Sequence, residues 1–291
     1  MVLYLLRGDL MDALLRDVLV PELKWIAPGY QLASSYRPAW RTAPVGGDFY
    51  NFFPLAQGQY VLWVGDVGGK GLEAAALALR LQPAMVAMAL RPEASPATLL
   101  DEASRFWKAL GVERIVTIFT AILDPFRGEF VYCSAGHEPA LLSKGGKLTR
   151  LGPTHAALTG LATGLHSNFR QDFGPGDLLL LYTDGLTEAG LRAREGPLGL
   201  EAIERLVASV SETRPDEILR SLCRTAGQRA SGQLHDDIVM VALRRSKDSS
   251  RTSISSRRCQ ECCDDCGCSP GPARALAGTA HLGLADKHGT P

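Results

Sequence analysis

The chain has 291 residues, 46% of them hydrophobic and 21% charged, with 31 basic and 31 acidic residues that cancel. The composition supports one substantial core, and a zero net charge argues against nucleic acid or an anionic membrane as partner. No uninterrupted apolar run reaches about 18 residues, and the apolar start is broken by Arg7, Asp9 and Asp12. Neither a membrane span nor a signal peptide is predicted, so a cytoplasmic location is expected.

Leu3, Leu6, Leu10, Leu14 and Val18 recur at helical spacing and Pro21 closes the run, which predicts a helix over residues 1–22. Such a stripe needs a surface to lie on, which makes the helix a candidate regulatory or dimerisation element. Aromatic and β-branched residues then predict strands over Tyr30–Tyr36, Asp48–Leu55 and Tyr60–Gly65, with a turn at Gln57-Gly58. Leu72–Leu90 is nearly all Ala, Leu and Met and predicts a helix buried on most sides. Ser95 and Pro96 open a second helix that runs to Leu110. Strands are predicted at Val116–Leu123 and Glu129–Cys133, then a hairpin of Pro139–Ser143 and Lys147–Leu151, then Asp177–Tyr182. Residues 186–230 read as mostly helical with a restart at Pro215, and Ile238–Leu243 reads as the last strand.

Strand meanders separated by helix pairs predict an α+β fold, a four-layer α/β/β/α sandwich of two antiparallel sheets flanked by helices. Single crossover helices, which a doubly wound sheet requires, are missing. Beyond Arg245 the apolar period ends, so 246–291 is expected to be a disordered tail and 23–245 the functional domain. Cys133 and Cys223 read as reduced core residues. The tail holds Cys259, Cys262, Cys263, Cys266 and Cys268, followed by His281 and His288. A soft-metal site there is the weaker alternative to an unstructured extension, because the spacing is too tight for an ordinary zinc knuckle.

Four aspartate motifs stand at the ends of apolar runs: Gly46-Gly47-Asp48, Gly65-Asp66-Val67-Gly68-Gly69-Lys70-Gly71, Tyr182-Thr183-Asp184-Gly185 and His235-Asp236-Asp237. Taken singly, each has a structural explanation as a turn, a helix cap or a solvated loop. Taken together, carboxylates at comparable strand ends without a matching set of buried cations point to a metal. Hard oxygen donors in that number suit Mg²⁺ or Mn²⁺. The turn after Asp66 is no P-loop, since its spacing is short and no Ser or Thr follows Lys70. Adjacent residues on a strand face opposite ways, so only one of Asp236 and Asp237 is expected to face the same site as Asp184. Thr183 is expected to orient Asp184.

With Ser134-Ala135-Gly136-His137 added, these ordered motifs resemble the SpoIIE-type, RsbU-like branch of the PPM serine/threonine protein phosphatases over about residues 25–245. The resemblance implies a metal-dependent enzyme that hydrolyses phosphoserine or phosphothreonine on a regulatory protein, such as an anti-sigma factor antagonist, by a metal-activated water. It implies two Mn²⁺ or Mg²⁺ ions between the sheets. It makes Asp48, Asp66 and the Val67 main-chain carbonyl ligands of one part of the centre. Asp184 and Asp236 supply the other, with Asp237 as the alternative within its pair. Asp48, Asp66, Asp184 and Asp236 are thereby the expected catalytic set. His137 is expected to be structural, His235 to lie at the rim and Glu188 to support the ligands. Gly68 and Lys70 replace a Ser and a His common in the family, Asn51 replaces a further Asp, and Trp40–Pro44 resembles a short insertion. Activation is expected from a separate partner or from dimerisation through the first helix. The competing reading is a catalytically weak binding module of the same fold.

Overall fold

A computed structural model describes residues 14–39, 45–161, 165–210, 212–231 and 234–258. Residues 14–19 are helical (α1). Then follow β1 (Tyr30–Arg37), β2 (Asp48–Pro54), β3 (Tyr60–Val67), α2 (Gly71–Ala89), α3 (Pro96–Ala109), β4 (Val116–Asp124), β5 (Glu129–Ala135), β6 (Ala140–Lys144) and β7 (Lys147–Leu151). The last part comprises β8 (Phe169–Asp172), β9 (Leu178–Tyr182), α4 (Asp184–Thr187), α5 (Leu200–Val210), α6 (Pro215–Arg229), β10 (Ile238–Arg245) and β11 (Ser253–Arg258).

One sheet has the order β11-β1-β10-β9-β6-β7 and the other β2-β3-β4-β5-β8. Helices α2 and α3 pack on the second sheet, and α5 and α6 on the first, which gives the α/β/β/α layering. Period-2 alternation places the side chains. In β9, Leu179 and Leu181 enter the core between the sheets. Leu178, Leu180 and Tyr182 instead join Ile203 of α5 and Leu222 of α6. Each fully buried leucine contributes roughly 1.5–3 kcal/mol, so β9 is fixed in register from both faces.

Three expectations from the sequence change. Helix α2 buries only the stripe Ala74, Ala75, Ala78, Leu81, Gln82, Met85 and Ala89, and Leu72 on its other side is exposed. Its 19 residues are long and apolar enough to cross a membrane, yet here that stripe lies on the five-stranded sheet and α3. Residues 188–199 are turns, because Gly190, Gly196 and Gly199 take positive φ (84°, 72° and 72°) and break the helical run. Order also extends past Arg245: β11 adds to β1 in parallel, Leu32 opposite Ile254. Thr252 Oγ1 accepts the Gly29 N–H at 2.9 Å and Ser256 Oγ accepts the Leu23 N–H at 3.0 Å. A short serine-rich strand covers an edge that would otherwise expose unpaired backbone groups. The cysteine-rich run after 258, residues 1–13 and Trp40–Pro44 lie outside the described residues.

A buried amide ties α1 to the second sheet. Gln82 of α2 accepts from Trp63 Nε1 of β3 at 3.2 Å and donates to the carbonyls of Val18 and Leu19. The strand it holds carries Asp66 three residues beyond Trp63, next to its last residue, Val67.

Candidate metal centre between the two sheets

The β2–β3 register sets Asp48 directly opposite Asp66. Both point to the face between the sheets, as does Tyr50, two residues on, whose hydroxyl meets Ser34 Oγ of β1 at 3.0 Å. Like charges in direct opposition across strands destabilise a sheet. Burial first, and then Asp184 and Asp236, push the Asp66 carboxyl up to about 7, against a hydrogen bond with Asp48. Asp48 is raised well above its usual range by burial and then by Asp66 and Asp237.

The six-stranded sheet brings the remaining acids. Asp184 opens α4, straight after β9, and burial followed by Asp236 raises it to about 6. Gly185 is required at this spot, since a Cβ there would lie 1.9 Å from the Asp237 carbonyl oxygen. Asp237 is buried and raised to about 6, chiefly by burial. It accepts the Tyr36 hydroxyl at 3.0 Å and the Ala39 N–H at 2.7 Å. Asp236 is more open: it takes the Asp237 N–H on Oδ1 at 3.0 Å and faces Lys70 Nζ at 3.0 Å on Oδ2. Asp236 is the member of the pair that bears on Asp184, while Asp237 acts on Asp48 and Asp66.

Thr183 also differs from expectation. On the alternation of β9 it faces the other sheet, and its Oγ1–H donates to Asp48 Oδ2 at 2.7 Å while accepting the Val239 N–H at 2.9 Å. It orients Asp48 across the gap, not its neighbour Asp184. Replacing it with Val removes both bonds at a fully buried position. The expected result is about a tenfold to hundredfold loss of Mn²⁺ affinity in a calorimetric titration, with Thr183→Ser close to wild type.

Val67 O and Asp66 Oδ1 lie against Gly47, where a Cβ would come within 2.2 and 2.8 Å of them. Glycine leaves that cradle of two oxygens open. Among the described residues, no three His, Cys, Asp or Glu side chains close around one point. The donors are spread, all hard oxygens, and partly main chain. That set fits hydrated Mg²⁺ or Mn²⁺, which take one or two carboxylates and retain water. Among the described residues no matching number of cations meets the buried carboxyls, so a divalent ion also answers their mutual repulsion.

Other expected residues fall outside the cluster or at its margin. His137 is buried, its Nδ1 2.9 Å from Thr117 Oγ1, and burial lowers it to about 4. Thr117 stands opposite Asp66 on β4, so the neutral ring buttresses that strand. His235 contributes its carbonyl to Lys70 at 2.7 Å. Asn51 alternates to the face away from Asp48 and accepts the Phe52 N–H at 2.9 Å on its own Oδ1. Glu188 raises Asp184, and Glu138, not singled out from the sequence, is itself raised by burial and then by Asp184 and Glu188. Its position just after His137 was the available signal.

Residues 56–246 match the family described as Stage II sporulation protein E (SpoIIE). The chain is similar to "Phosphoserine phosphatase RsbU" of Bacillus subtilis (strain 168), with 27% identity over 209 residues, 69% of this chain and 60% of that protein. The structure of the RsbU and RsbW domains of Rv1364c from Mycobacterium tuberculosis superposes with a TM-score of 0.66 and 32% identity, covering 76% of this chain and 61% of that one. The SiaA-PP2C domain of Pseudomonas aeruginosa shares the fold, with a TM-score of 0.68 at 18% identity, covering 81% of this chain and 94% of that one. The chain thus spans about 60% of the length of the first two relatives.

Proposed function

Because this chain belongs to the SpoIIE family, we propose that it is a metal-dependent protein phosphatase acting on phosphoserine or phosphothreonine of a regulatory protein. The observation that carries this reading is that Asp48, Asp66, Asp184, Asp236 and Asp237, drawn from two sheets, lie within electrostatic reach of one another, and four of the five carboxyls are raised. The phosphoserine phosphatase name of RsbU supports the substrate class.

Asp48, Asp66 and the Val67 carbonyl would hold one of two Mn²⁺ or Mg²⁺ ions, and Asp184 and Asp236 the other. Asp237 serves as scaffold in this assignment, since Tyr36 and Ala39 already engage both of its oxygens. When bound, such ions supply Lewis-acid charge and an activated water to the phosphoryl group. Thr183 fixes Asp48, and the missing side chain of Gly47 lets Val67 O and Asp66 Oδ1 lie close against it. Cys133 and Cys223 are both buried, which suits a reaction without a thiol nucleophile. Leu14, Val18 and Trp25 are exposed around α1, which supports docking there by an activating partner or a second copy.

The test is hydrolysis of a phosphoserine peptide with Mn²⁺ and with chelator, on the full chain and on one lacking residues 1–20. Turnover that needs Mn²⁺ and changes on truncation is expected. Mn²⁺ binding without turnover would favour the binding-module reading instead.

A further inference from the structure

Among the described residues, Lys70 is a basic side chain that reaches the acidic cluster, and the reaction as proposed leaves it without a task. It precedes α2 but makes no side-chain cap there. Its Nζ donates to the His235 carbonyl at 2.7 Å and lies 3.0 Å from Asp236 Oδ2. It thereby spans from the glycine-rich turn of one sheet to the loop that opens β10 of the other. The side chain is 58% exposed, so the ammonium meets both solvent and Asp236.

Two physical points follow. An exposed lysine–carboxylate pair is weak and exchangeable, and a divalent ion on Asp236 would meet a like charge in the ammonium, so the two compete. A phosphate dianion arriving at a ring of carboxylates needs a donor that is not one of them, and lysine binds phosphate as a point charge with three N–H donors.

We propose that Lys70 is a tethered cation of this site: it holds Asp236 while no divalent ion does, is displaced by the ion, and then binds a phosphoryl oxygen of the substrate. The proposal rests on the metal-dependent reading above and names the group that receives the phosphate.

The test compares wild type, Lys70→Gln and Lys70→Arg by calorimetric titration, first with Mn²⁺ alone and then with inorganic phosphate added to the Mn²⁺-loaded proteins. Lys70→Gln is expected to bind Mn²⁺ about three- to tenfold more tightly than wild type and phosphate about tenfold more weakly, with Lys70→Arg close to wild type for Mn²⁺. An unchanged Mn²⁺ affinity or an unchanged phosphate affinity in Lys70→Gln overturns the assignment. Circular dichroism confirms the fold of each variant. If wild type itself binds no Mn²⁺, the metal-dependent reading fails, and this inference falls with it.

Discussion

Asp66→Asn is expected to abolish phosphate-ester hydrolysis, by at least roughly a thousandfold in kcat/KM, while making the metal-free protein more stable at pH 8. The two effects share one cause. Asp66 faces Asp48 across paired strands and lies within electrostatic reach of Asp184, Asp236 and Asp237. Asparagine keeps the volume and removes one of the mutually repelling charges. The relief should appear as a rise in Tm of about 2–4 °C for each kcal/mol recovered. The same substitution takes away an oxygen donor that a divalent ion needs. A residue kept for packing would lose stability on substitution, whereas one kept for function at a structural cost shows the reverse. Steady-state kinetics and a melt in chelator check both halves. A variant that is destabilised yet active would remove Asp66 from the centre. Asp184→Asn is expected to match the loss of activity.

Metal-free protein is expected to lose thermal stability as pH rises from about 5 to 8. An unfolded carboxyl titrates near about 4, whereas the folded values of Asp184 and Asp237 are about 6 and that of Asp66 about 7. Across that window the folded chain holds more protons than the unfolded one, so the stability of unfolding declines with pH. The contribution is full below the unfolded value and is lost as pH climbs through the folded values. Mn²⁺ binds the ionised carboxylates, so it should restore the melting temperature at pH 8, bind more tightly as pH rises and release protons on binding. Melts at pH 5 and pH 8, each with chelator or Mn²⁺, measure this. A midpoint that rises with pH in chelator would mean that the carboxyls are already paired by protein groups.

The strand meanders, the helix pairs and the four aspartate motifs were legible because each leaves a local mark: alternation, an N-cap, a glycine beside an acid. What escaped depends on contacts between distant segments. Thr183 reads as a partner of Asp184 until the sheets are stacked and its hydroxyl proves to face Asp48. The pleat rule left open which of Asp236 and Asp237 turns toward Asp184, because that depends on Tyr36 and Ala39 engaging Asp237. Strand β8, Phe-Arg-Gln-Asp, is an exposed edge without apolar alternation and gave no signal. Strand β11 is likewise serine-rich, and only the open edge of β1 explains it. The one-sided burial of α2 was hidden because alanine and leucine fill both of its faces.

Carboxylates from both sheets are expected to share divalent cations. Anomalous diffraction at the manganese edge from crystals grown with Mn²⁺ tests this arrangement. Peaks are expected at oxygen-ligand distance, about 2.1 Å, from Asp48, Asp66 and Val67 O and from Asp184 and Asp236. Saturated crystals with no manganese among those groups would contradict it.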